Sequence, residues 1–440
     1  MKRVKMESQH KNSKQYGITL IALVVTIVVL LILAGITINL LFSDTGLLGR
    51  AQEAENAWRN AENSDREAIG DLVNQANEML NGTWTGGSGT GGEVTPGEDD
   101  TPKVEDNLGT VISSTENTDL TDSLGNKITV PAGFFIVTPD QDNTVIYDYS
   151  TDGTPTVQDG IVIQNEADGN QFVWVPVGTI NNKADDPLGA TTTIQLGRYS
   201  DFTMNGPTLP TPAQEATSSS ANTAVKISTY YFEVSSDFAG DTSQDLDAAS
   251  TYGNTKAINL QEWLNTSIAN GGYYIARYEA SPNTTDETKA ASVKNVQPWV
   301  NITQPSAAIA AKATYAVDGA NSSNYYSDLI NSYAWDTAIV FIQAYEASDY
   351  ASDNRCTSAT VTGGNGDQVC NINDMSGNKY EWTTETSTCS NLYYSDPHTG
   401  RGGCYYSDDG YARYYTSNRY SFAVALSTTY HSFRLSLCVQ

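Results

Sequence analysis

Cysteine and histidine, the side chains that most often act as nucleophiles, bases and metal ligands, are few in this chain of 440 residues. The five cysteines all lie in the last fifth of the sequence, at Cys356, Cys370, Cys389, Cys404 and Cys438. None stands in a Cys-x-x-Cys pair, so their spacing predicts no zinc site. The histidines, His10, His398 and His431, are too scattered for a metal triad or a Ser-His-Asp relay. We interpret His398 and His431 as surface loop residues rather than bases, and we expect no catalytic residue.

The cysteines leave two interpretations open. In an oxidising compartment, Cys356 with Cys370 and Cys389 with Cys404 are the simplest disulfide pairs, which leaves Cys438 over. Free buried cysteines are the alternative. Pairing does not follow from the sequence alone.

Charge and composition narrow the class of protein. The formal charge is 24 − 51 = −27. This charge would repel a polyanion, so we expect no nucleic-acid partner. It suits a secreted protein that faces solvent, and the 10% of aromatic residues exclude a disordered chain as the general description.

The N-terminus has the pattern of a membrane anchor. Residues 18–42 carry no charge and are long enough to cross a bilayer as a helix, and basic residues precede them. The run is too long for the apolar part of a signal peptide. The basic residues place the N-terminus in the cytoplasm and the bulk of the chain outside the membrane.

Residues 1–17 form a short basic leader that ends at Gly17, and Ile18 opens the apolar run. This N-terminus resembles that of type IV prepilins, which implies that a prepilin peptidase cuts after Gly17 and that Ile18 becomes the mature N-terminus. Ala22 stands where that family carries a glutamate, which in the family pairs with the N-terminal amine of a neighbouring subunit. A tip or minor subunit, a major subunit and a simple membrane anchor are therefore alternatives, and the first two would have other pilin subunits as partners.

The pattern changes twice between the anchor and the C-terminal head. Residues 50–80 place apolar or small residues three and four apart, which predicts that a pilin-like helix covers residues 18–80. Residues 81–106 are rich in Gly, Thr, Pro and acidic residues, which predicts a flexible linker. Residues 107–440 form the predicted head.

The head alternates short apolar runs with stretches rich in Thr, Ser, Asn and Gly. The runs "FFIVTP", "DGIVIQN", "QFVWVPVG" and "YYIARYEAS" predict short strands. Helices are predicted for "NLQEWLNTSIANG" and "SDLINSYAWDTAIVFIQAYEAS". We therefore expect an α+β head with much irregular backbone.

The most specific motif of the head is "NDMSGNKYEWTTE", at residues 373–385. It is similar to the Asn-Asp-Met-x-Gly-Asn-x-x-Glu-Trp signature of the formylglycine-generating-enzyme, or sulfatase-modifying-factor, family. Other segments match that family in the same order over residues 134–439: "GGYYIARYEAS", "QPWVNIT", "SYAWDTAIVF", "RGGCY" and "SFRLSL". The resemblance implies a C-type-lectin-like fold with a small twisted sheet, two helices and a loop-rich face.

Several residues of the head have structural interpretations of their own. Gly377 suits a turn that needs a positive φ. We expect Glu381 to accept from buried backbone donors and Arg434 to make a buried ion pair. Core positions are predicted for Trp174, Trp299, Trp335 and Trp382, and core strand positions for Val424, Leu426, Phe433 and Leu435.

The resemblance also bears on catalysis. The oxidases of that family hold copper with two closely spaced cysteines after an Arg-Gly-Gly turn. Here Cys404 takes the place of the serine in that turn, and no second cysteine follows before Cys438. A lone thiolate cannot form a two-sulfur Cu(I) site. We expect no enzyme and no cofactor, with a structural calcium ion left open; a copper-dependent formylglycine-generating oxidase is the alternative.

Residues 386–435 lack Lys, Glu, Gln, Met and Trp, and nine of the 26 tyrosines lie beyond Asn391. An asparagine codon of the form AA-pyrimidine, randomised at its adenines, cannot encode those five residues. With the lectin-like fold, the omission resembles the variable proteins of diversity-generating retroelements, in which a C-terminal segment is rewritten. An ordinary tyrosine-rich surface loop is the alternative. The predicted variable, ligand-binding positions are Asn391, Tyr393, Tyr394, Tyr405, Tyr406, Ser407, Asp408, Asp409, Tyr411, Arg413, Tyr414, Tyr415 and Asn418.

Together these patterns predict a bacterial cell-surface or extracellular protein, anchored in the membrane or built into a pilus. Its expected ligands are variable proteins or glycans on another cell or on a phage. Tyrosine supplies contact area and a hydroxyl at low entropic cost, while Ser, Asn and Gly adapt their hydrogen bonds. A structural minor pilin without a ligand is the competing hypothesis.

Overall fold

The computed structural model describes residues 101–147, 154–212, 257–353, 358–364, 366–386, 397–405 and 415–440. The chain divides into two units, Met1–Pro96 and Gly97–Gln440, and all described residues belong to the second. The predicted leader, the cleavage site at Gly17 and Ile18, and the stalk helix lie outside the described residues. Among the helices that are described, none is long and apolar enough to cross a membrane.

Strands supply most of the regular structure in the described residues. Numbered along the chain, they are β1 (Thr118–Thr121), β2 (Lys127–Val130), β3 (Phe134–Ile136), β4 (Val162–Asn165), β5 (Gln171–Pro176), β6 (Gly178–Asn181), β7 (Thr191–Ile194), β8 (Gly272–Ala276), β9 (Ser281–Pro282), β10 (Ala290–Ala291), β11 (Tyr325–Leu329), β12 (Tyr380–Thr386), β13 (Pro397–Arg401), β14 (Arg419–Ala423), β15 (His431–Phe433) and β16 (Leu435–Val439).

Two larger sheets organise these strands. The first has six strands in the order β11-β16-β8-β5-β4-β3, all paired antiparallel. The second has four strands in the order β14-β13-β12-β15, antiparallel except for the pair β12 and β15. Two-stranded sheets pair β1 with β2, β6 with β7, and β9 with β10. Because only Arg434 separates β15 from β16, the chain passes directly from the second sheet into the first.

Three α-helices accompany the sheets: α1 (Leu260–Ala269), α2 (Gln304–Thr314) and α3 (Ser332–Tyr345). Each begins after a side-chain N-cap, since Asn259, Thr303 and Asn331 accept from the backbone N–H three residues further on. The described unit is therefore α+β, as the alternation of apolar runs predicts.

The helix predictions differ in accuracy. Helix α1 confirms the prediction from "NLQEWLNTSIANG", whereas the second predicted helix is too long. Its first residues belong to β11, which pairs with β16, and α3 starts only after the cap at Asn331. Helix α2 has no counterpart among the predictions, although the cap at Thr303 and Pro305 in the first turn are a helix-start signal.

Aromatic side chains form much of the core. Trp174 on β5, Trp335 on α3 and Trp382 on β12 are fully buried, and Trp299 is half-buried against Phe433. These positions confirm the scaffold role predicted for the tryptophans. Among the predicted core strand residues, Phe433 and Leu435 are buried in strands, whereas Val424 is buried and Leu426 half-buried after the end of β14.

The folded unit includes residues that the sequence assigns to the linker. Val104 is fully buried in the core, and Lys103 pairs with Thr121 at the end of β1. Packing against the sheets therefore starts before residue 107. The polar sequence around these residues predicts a linker, because their contacts with residues further along the chain cannot be seen in the local sequence.

Gly160 and Gly169 offer a matched test of this packing, since both have left-handed φ values, of 72° and 74°. A Cβ on Gly160 would lie 2.0 Å from the Cys370 carbonyl oxygen, whereas a Cβ on Gly169 would meet nothing within 4 Å. We expect Gly169→Ala to lower the free energy of unfolding by about 1–2 kcal/mol. Gly160→Ala should lower it by a further 1–3 kcal/mol, roughly, because two chain segments must separate. Urea unfolding measures both, and equal losses would contradict this packing.

Candidate functional site

The predicted variable segment passes through the second sheet. Two connections carry its candidate positions: residues 387–396 join β12 to β13, and residues 402–418 join β13 to β14. They attach to opposite ends of β13. Asn391, Tyr393 and Tyr394 belong to the first connection and the other ten positions to the second. Tyr405, Tyr415 and Asn418 are described; outside the described residues lie Asn391, Tyr393, Tyr394, Tyr406, Ser407, Asp408, Asp409, Tyr411, Arg413 and Tyr414.

The three described positions differ in exposure. Tyr405 and Tyr415 are half-buried, and the centroid of the Tyr405 ring lies 4.2 Å from Lys379 Nζ and 5.7 Å from that of the Tyr430 ring. Asn418 is only 8% exposed, and its carbonyl accepts from Arg401 Nε at 2.9 Å. A ligand in solvent could contact the two tyrosines, whereas Asn418 contributes mainly to the scaffold.

A glycine turn fixes the start of the second connection. Gly402 has a φ of 83°, and a Cβ there would lie 2.6 Å from the Met375 carbonyl oxygen and 3.0 Å from the Trp335 ring. The Gly402 carbonyl accepts from Gly377 N–H at 2.9 Å, and Gly377 has the positive φ that its turn role predicts. No other residue type fits this approach without strain.

The end of the connection is held with similar firmness. Thr416 N–H donates to the Asp353 carbonyl and Ser417 N–H to the Ala351 carbonyl, both at 3.0 Å. The Trp335 indole N–H donates to the Thr416 carbonyl at 3.3 Å. Trp335 therefore contacts both ends of the connection.

A buried network of four charges joins the two ends. Arg401 and Arg419 lie opposite each other in the register of β13 and β14. Asp336 on α3 pairs with both, through its two oxygens at 2.5 Å each. Glu385 on β12 lies 2.9 Å from Arg419 Nε and 3.6 Å from Arg401 Nη1, and all four side chains are fully buried.

The network is electrically balanced. Burial acts to lower the pKa of the Arg419 guanidinium, but the carboxylates of Asp336 and Glu385 raise it overall. Burial and the neighbouring Arg419 lower the pKa of Arg401. Sequence reasoning did not identify this network, because Asp336 precedes its partners by 65 and 83 residues.

The opposite face of the second sheet is aromatic. Gly400 leaves room on β13 for Phe422 and Tyr380, since a Cβ there would lie 2.8 Å from the Phe422 ring. Rings from the two strands that flank β13 meet over this bare backbone: Tyr380 of β12 lies 5.1 Å from Phe422 of β14, which lies 4.8 Å from Tyr420 on the same strand. Tyr420 and Phe422 are half-buried, so part of this aromatic face meets solvent.

Both C-terminal histidines contradict their interpretation as surface loop residues. His398 lies in β13 with 1% exposure and His431 in β15 with 3% exposure. His431 stacks on Trp382 at 4.8 Å, and burial lowers its pKa to about 3. His398 lies opposite Phe422 in the register of β13 and β14, and the His431 ring lies 4.3 Å from the Phe422 ring. Both rings therefore belong to the aromatic face, a placement that depends on pairing between distant strands.

The ion pair predicted for Arg434 is confirmed. Its guanidinium contacts Glu381 at 2.6 and 2.9 Å, and both side chains are fully buried. Glu381 therefore binds Arg434, and not the backbone donors that we expected. Two further carboxylates are fully buried: Glu279, which follows the end of β8, and Asp374, which belongs to the motif at residues 373–385. Within the described ranges, no group of three or more His, Cys, Asp or Glu residues is arranged to hold a metal ion.

Three of the five cysteines, Cys370, Cys404 and Cys438, lie in the described residues. Cys370 and Cys438 are buried free thiols, so the disulfide considered between Cys356 and Cys370 is not formed. Cys404 is buried just after β13 in the second sheet, whereas Cys438 lies in β16 of the first sheet. Cys356 and Cys389 lie outside the described residues.

Comparisons with known proteins add little. No family model matches the chain. No curated protein matches it either. A solved structure, the crystal structure of CarF, is 15% identical and covers 38% of this chain and 87% of its own, with a TM-score of 0.27. A likeness this low carries no argument about fold or function.

The four-charge network predicts a large effect from a small change. We expect Asp336→Asn to lower the free energy of unfolding by about 3–5 kcal/mol, because it leaves two buried arginines short of negative charge. The control is Asp119→Asn, which weakens an exposed pair with Lys127 at 3.0 Å and should change stability by about 1 kcal/mol or less. Guanidinium unfolding compares the two, and similar losses would contradict the role assigned to the network.

The buried carboxylates predict a pH dependence. Burial and the nearby Asp367 raise the pKa of Asp374 to about 8, above the ordinary value of 3.8. The Asp374 carboxyl therefore holds its proton more tightly in the folded state than in the unfolded state. Its contribution to the free energy of unfolding is present at low pH and is lost as the pH rises towards about 8. We expect Asp374→Asn, which keeps an oxygen for the Gly363 N–H, to flatten this fall. Thermal unfolding from about pH 5 to about pH 8 measures it; an unchanged slope would exclude Asp374 as its source.

Proposed function

We propose that this protein is a surface-displayed, pilin-like ligand-binding protein whose C-terminal face is diversified by a retroelement. The observation that carries the proposal is the attachment of residues 402–418. Both ends of this connection are fixed by buried arginines, by a glycine turn and by main-chain bonds. Ten of the thirteen predicted variable positions lie between or beside these fixed points.

In such an attachment, the residues that stabilise the fold are different from the residues proposed to bind the ligand. None of the four residues Asp336, Glu385, Arg401 and Arg419 is a candidate position, and Arg401 contacts the candidate Asn418 through its main-chain carbonyl. Side chains in the connection can therefore change while its ends stay in place. Binding residues are commonly carried on loops that a rigid scaffold positions. The half-buried Tyr405 and Tyr415 supply the aromatic and hydroxyl groups typical of adaptable binding surfaces.

The proposal includes the setting of this head. A pilin-like N-terminal helix would hold it at the outer surface of a bacterial membrane or pilus, away from nucleic acid. The ligand would be a variable protein or glycan on another cell or on a phage. A copper-dependent oxidase would need two neighbouring cysteines, whereas Cys404 follows β13 of the second sheet and Cys438 lies in β16 of the first.

Sequencing of the gene and its surroundings in a bacterial population tests the proposal. We expect a near-copy of the 3′ end that differs mainly at adenines, with a reverse-transcriptase gene beside it. Substitutions should concentrate at the thirteen candidate codons and spare the codons of Asp336, Glu385, Arg401 and Arg419. Variation spread evenly along the gene, with no such copy nearby, would exclude diversification.

A further inference from the structure

The described unit contains a cleft of about 400 Å³ whose lining includes none of the thirteen candidate positions. This volume is in the range of small-molecule binding sites. Three segments form its walls: residues 146–147 and 158–159, which precede β4, the end of α3 with Tyr345 and Glu346, and the turn at residues 368–371. Glu346 is exposed whereas Cys370 is buried, so the cleft leads from solvent into the fold.

The turn in this wall has an uncommon conformation. Val369 N–H donates to the Ile372 carbonyl at 2.9 Å, and Ile372 N–H donates to the Val369 carbonyl at 2.8 Å. Between them, Cys370 and Asn371 have φ values of 44° and 59°, which cysteine rarely adopts. The Cys370 N–H donates to the Glu346 carboxylate. The turn therefore holds this carboxylate against the wall of the cleft.

The amide and hydroxyl donors of the lining side chains are already used within the protein. An amide has two N–H groups and a hydroxyl has one O–H, and the acceptors account for all of them. The donors are the amides of Asn371 (to the carbonyls of Ile146, Asp159 and Gly160), Gln158 (to the side chains of Asn182 and Asp186) and Gln368 (to the Thr144 carbonyl and the Asn371 side chain), and the hydroxyls of Tyr147 (to the Val137 carbonyl) and Tyr345 (to the Asn182 side chain). An anion would therefore find no amide or hydroxyl of this lining free to donate.

Oxygen acceptors and negative charge remain for a ligand. The lining contains two carboxylates, Asp159 and Glu346, and no Lys, Arg or His. Lys183 Nζ pairs with Asp159 at 2.8 Å, whereas in the part of the chain that the structure describes no lysine or arginine pairs with Glu346. Burial raises the pKa of the Cys370 thiol, and Glu346 and Asp159 raise it further, as a negative potential in the inner wall requires. The cleft therefore complements a group with positive charge and with donors alone.

We propose that this cleft binds a small organic cation of the guanidinium or ammonium class, with its charged group on the Glu346 carboxylate. Both groups donate hydrogen bonds and accept none, and a guanidinium can meet a carboxylate with two parallel bonds. Ile146, Tyr147 and Tyr345 in the lining provide apolar contact for the carbon skeleton. The site is additional to the diversified face, so it does not depend on the proposed function.

Matched small molecules test the need for positive charge. N-butylguanidinium and N-butylurea have the same shape, but only the first is charged. Isothermal titration calorimetry on the full-length chain should give a dissociation constant of about 1 mM or lower for N-butylguanidinium, since a small ligand makes few contacts. N-butylurea should bind about tenfold more weakly, because hydrogen bonds between charged groups are stronger.

Matched variants locate the bound cation. Glu346→Gln keeps an oxygen for the Cys370 N–H but removes the charge, and we expect it to weaken the binding of N-butylguanidinium about tenfold. Glu166→Gln removes the same charge from an exposed residue outside the cleft and should leave binding unchanged. An equal loss in both variants would show a general attraction to the acidic chain and would overturn the proposal.

The Cys370 thiol reports binding without any substitution. Saturation with N-butylguanidinium should slow the alkylation of Cys370 by iodoacetamide about fivefold, because the ligand favours the closed wall. Peptide mass spectrometry measures this rate for each cysteine. Cys438 in β16 is also buried but lies outside the cleft, so its alkylation rate should not change.

A blocked Gly-Arg-Gly peptide and its citrulline counterpart distinguish the sources of such a cation. An arginine peptide that binds as tightly as N-butylguanidinium would assign the site to a side chain of a partner protein. Binding of the small cation alone would assign it to a free guanidine or amine compound. Equal binding of N-butylurea, no binding of the cation up to about 10 mM, or an unchanged alkylation rate at Cys370 would each overturn the proposal and leave the proposed function standing.

Discussion

The buried network of Asp336, Glu385, Arg401 and Arg419 is the constraint on which the second sheet depends. Two arginines opposite each other on neighbouring strands would repel, and burial makes that repulsion severe. The arrangement is stable only when α3 and β12 bring both carboxylates into place. A buried ion pair is weak evidence for high stability, but loss of one member is strongly destabilising. The network therefore favours one placement of β13 and β14, and with it of the residues at which their connection begins and ends.

The alternation of side chains gives the second sheet two different faces. One face carries the charge network against α3, and the other carries the rings of Tyr380, Tyr420 and Phe422. Gly400 is central to the second face because any larger residue would separate these rings. The same five-residue strand, β14, thus anchors the scaffold through Arg419 and presents aromatic surface through its next residues. Arg419, which anchors the strand, and Tyr420, which contributes to the aromatic surface, are neighbours in the sequence yet lie on opposite faces of the sheet.

Local pattern was sufficient for many elements and for one long-range contact. Apolar runs predicted β3, β4, β5, β8 and α1, and the Phe-Arg-Leu ending predicted the ion pair of Arg434. The errors share a physical cause: β11 and the burial of His398 and His431 depend on strands far away in the sequence. The buried position of Asn418 depends on a contact with Arg401 in the preceding strand. Periodicity reports which residues are apolar, but it does not report which distant segment covers them.

Position in the scaffold decides how much variation this fold tolerates. A substitution on an exposed loop typically changes the free energy of unfolding by about 0.5 kcal/mol or less. Ten independent changes of random sign would then add to roughly 1.5 kcal/mol, small against the 5–15 kcal/mol that stabilise a typical domain. Asn418 differs, because a buried polar group left without a partner costs about 1–3 kcal/mol. Under the proposed diversification, a change at Asn418 would therefore be costly, because there the chain re-enters the sheet at Arg419.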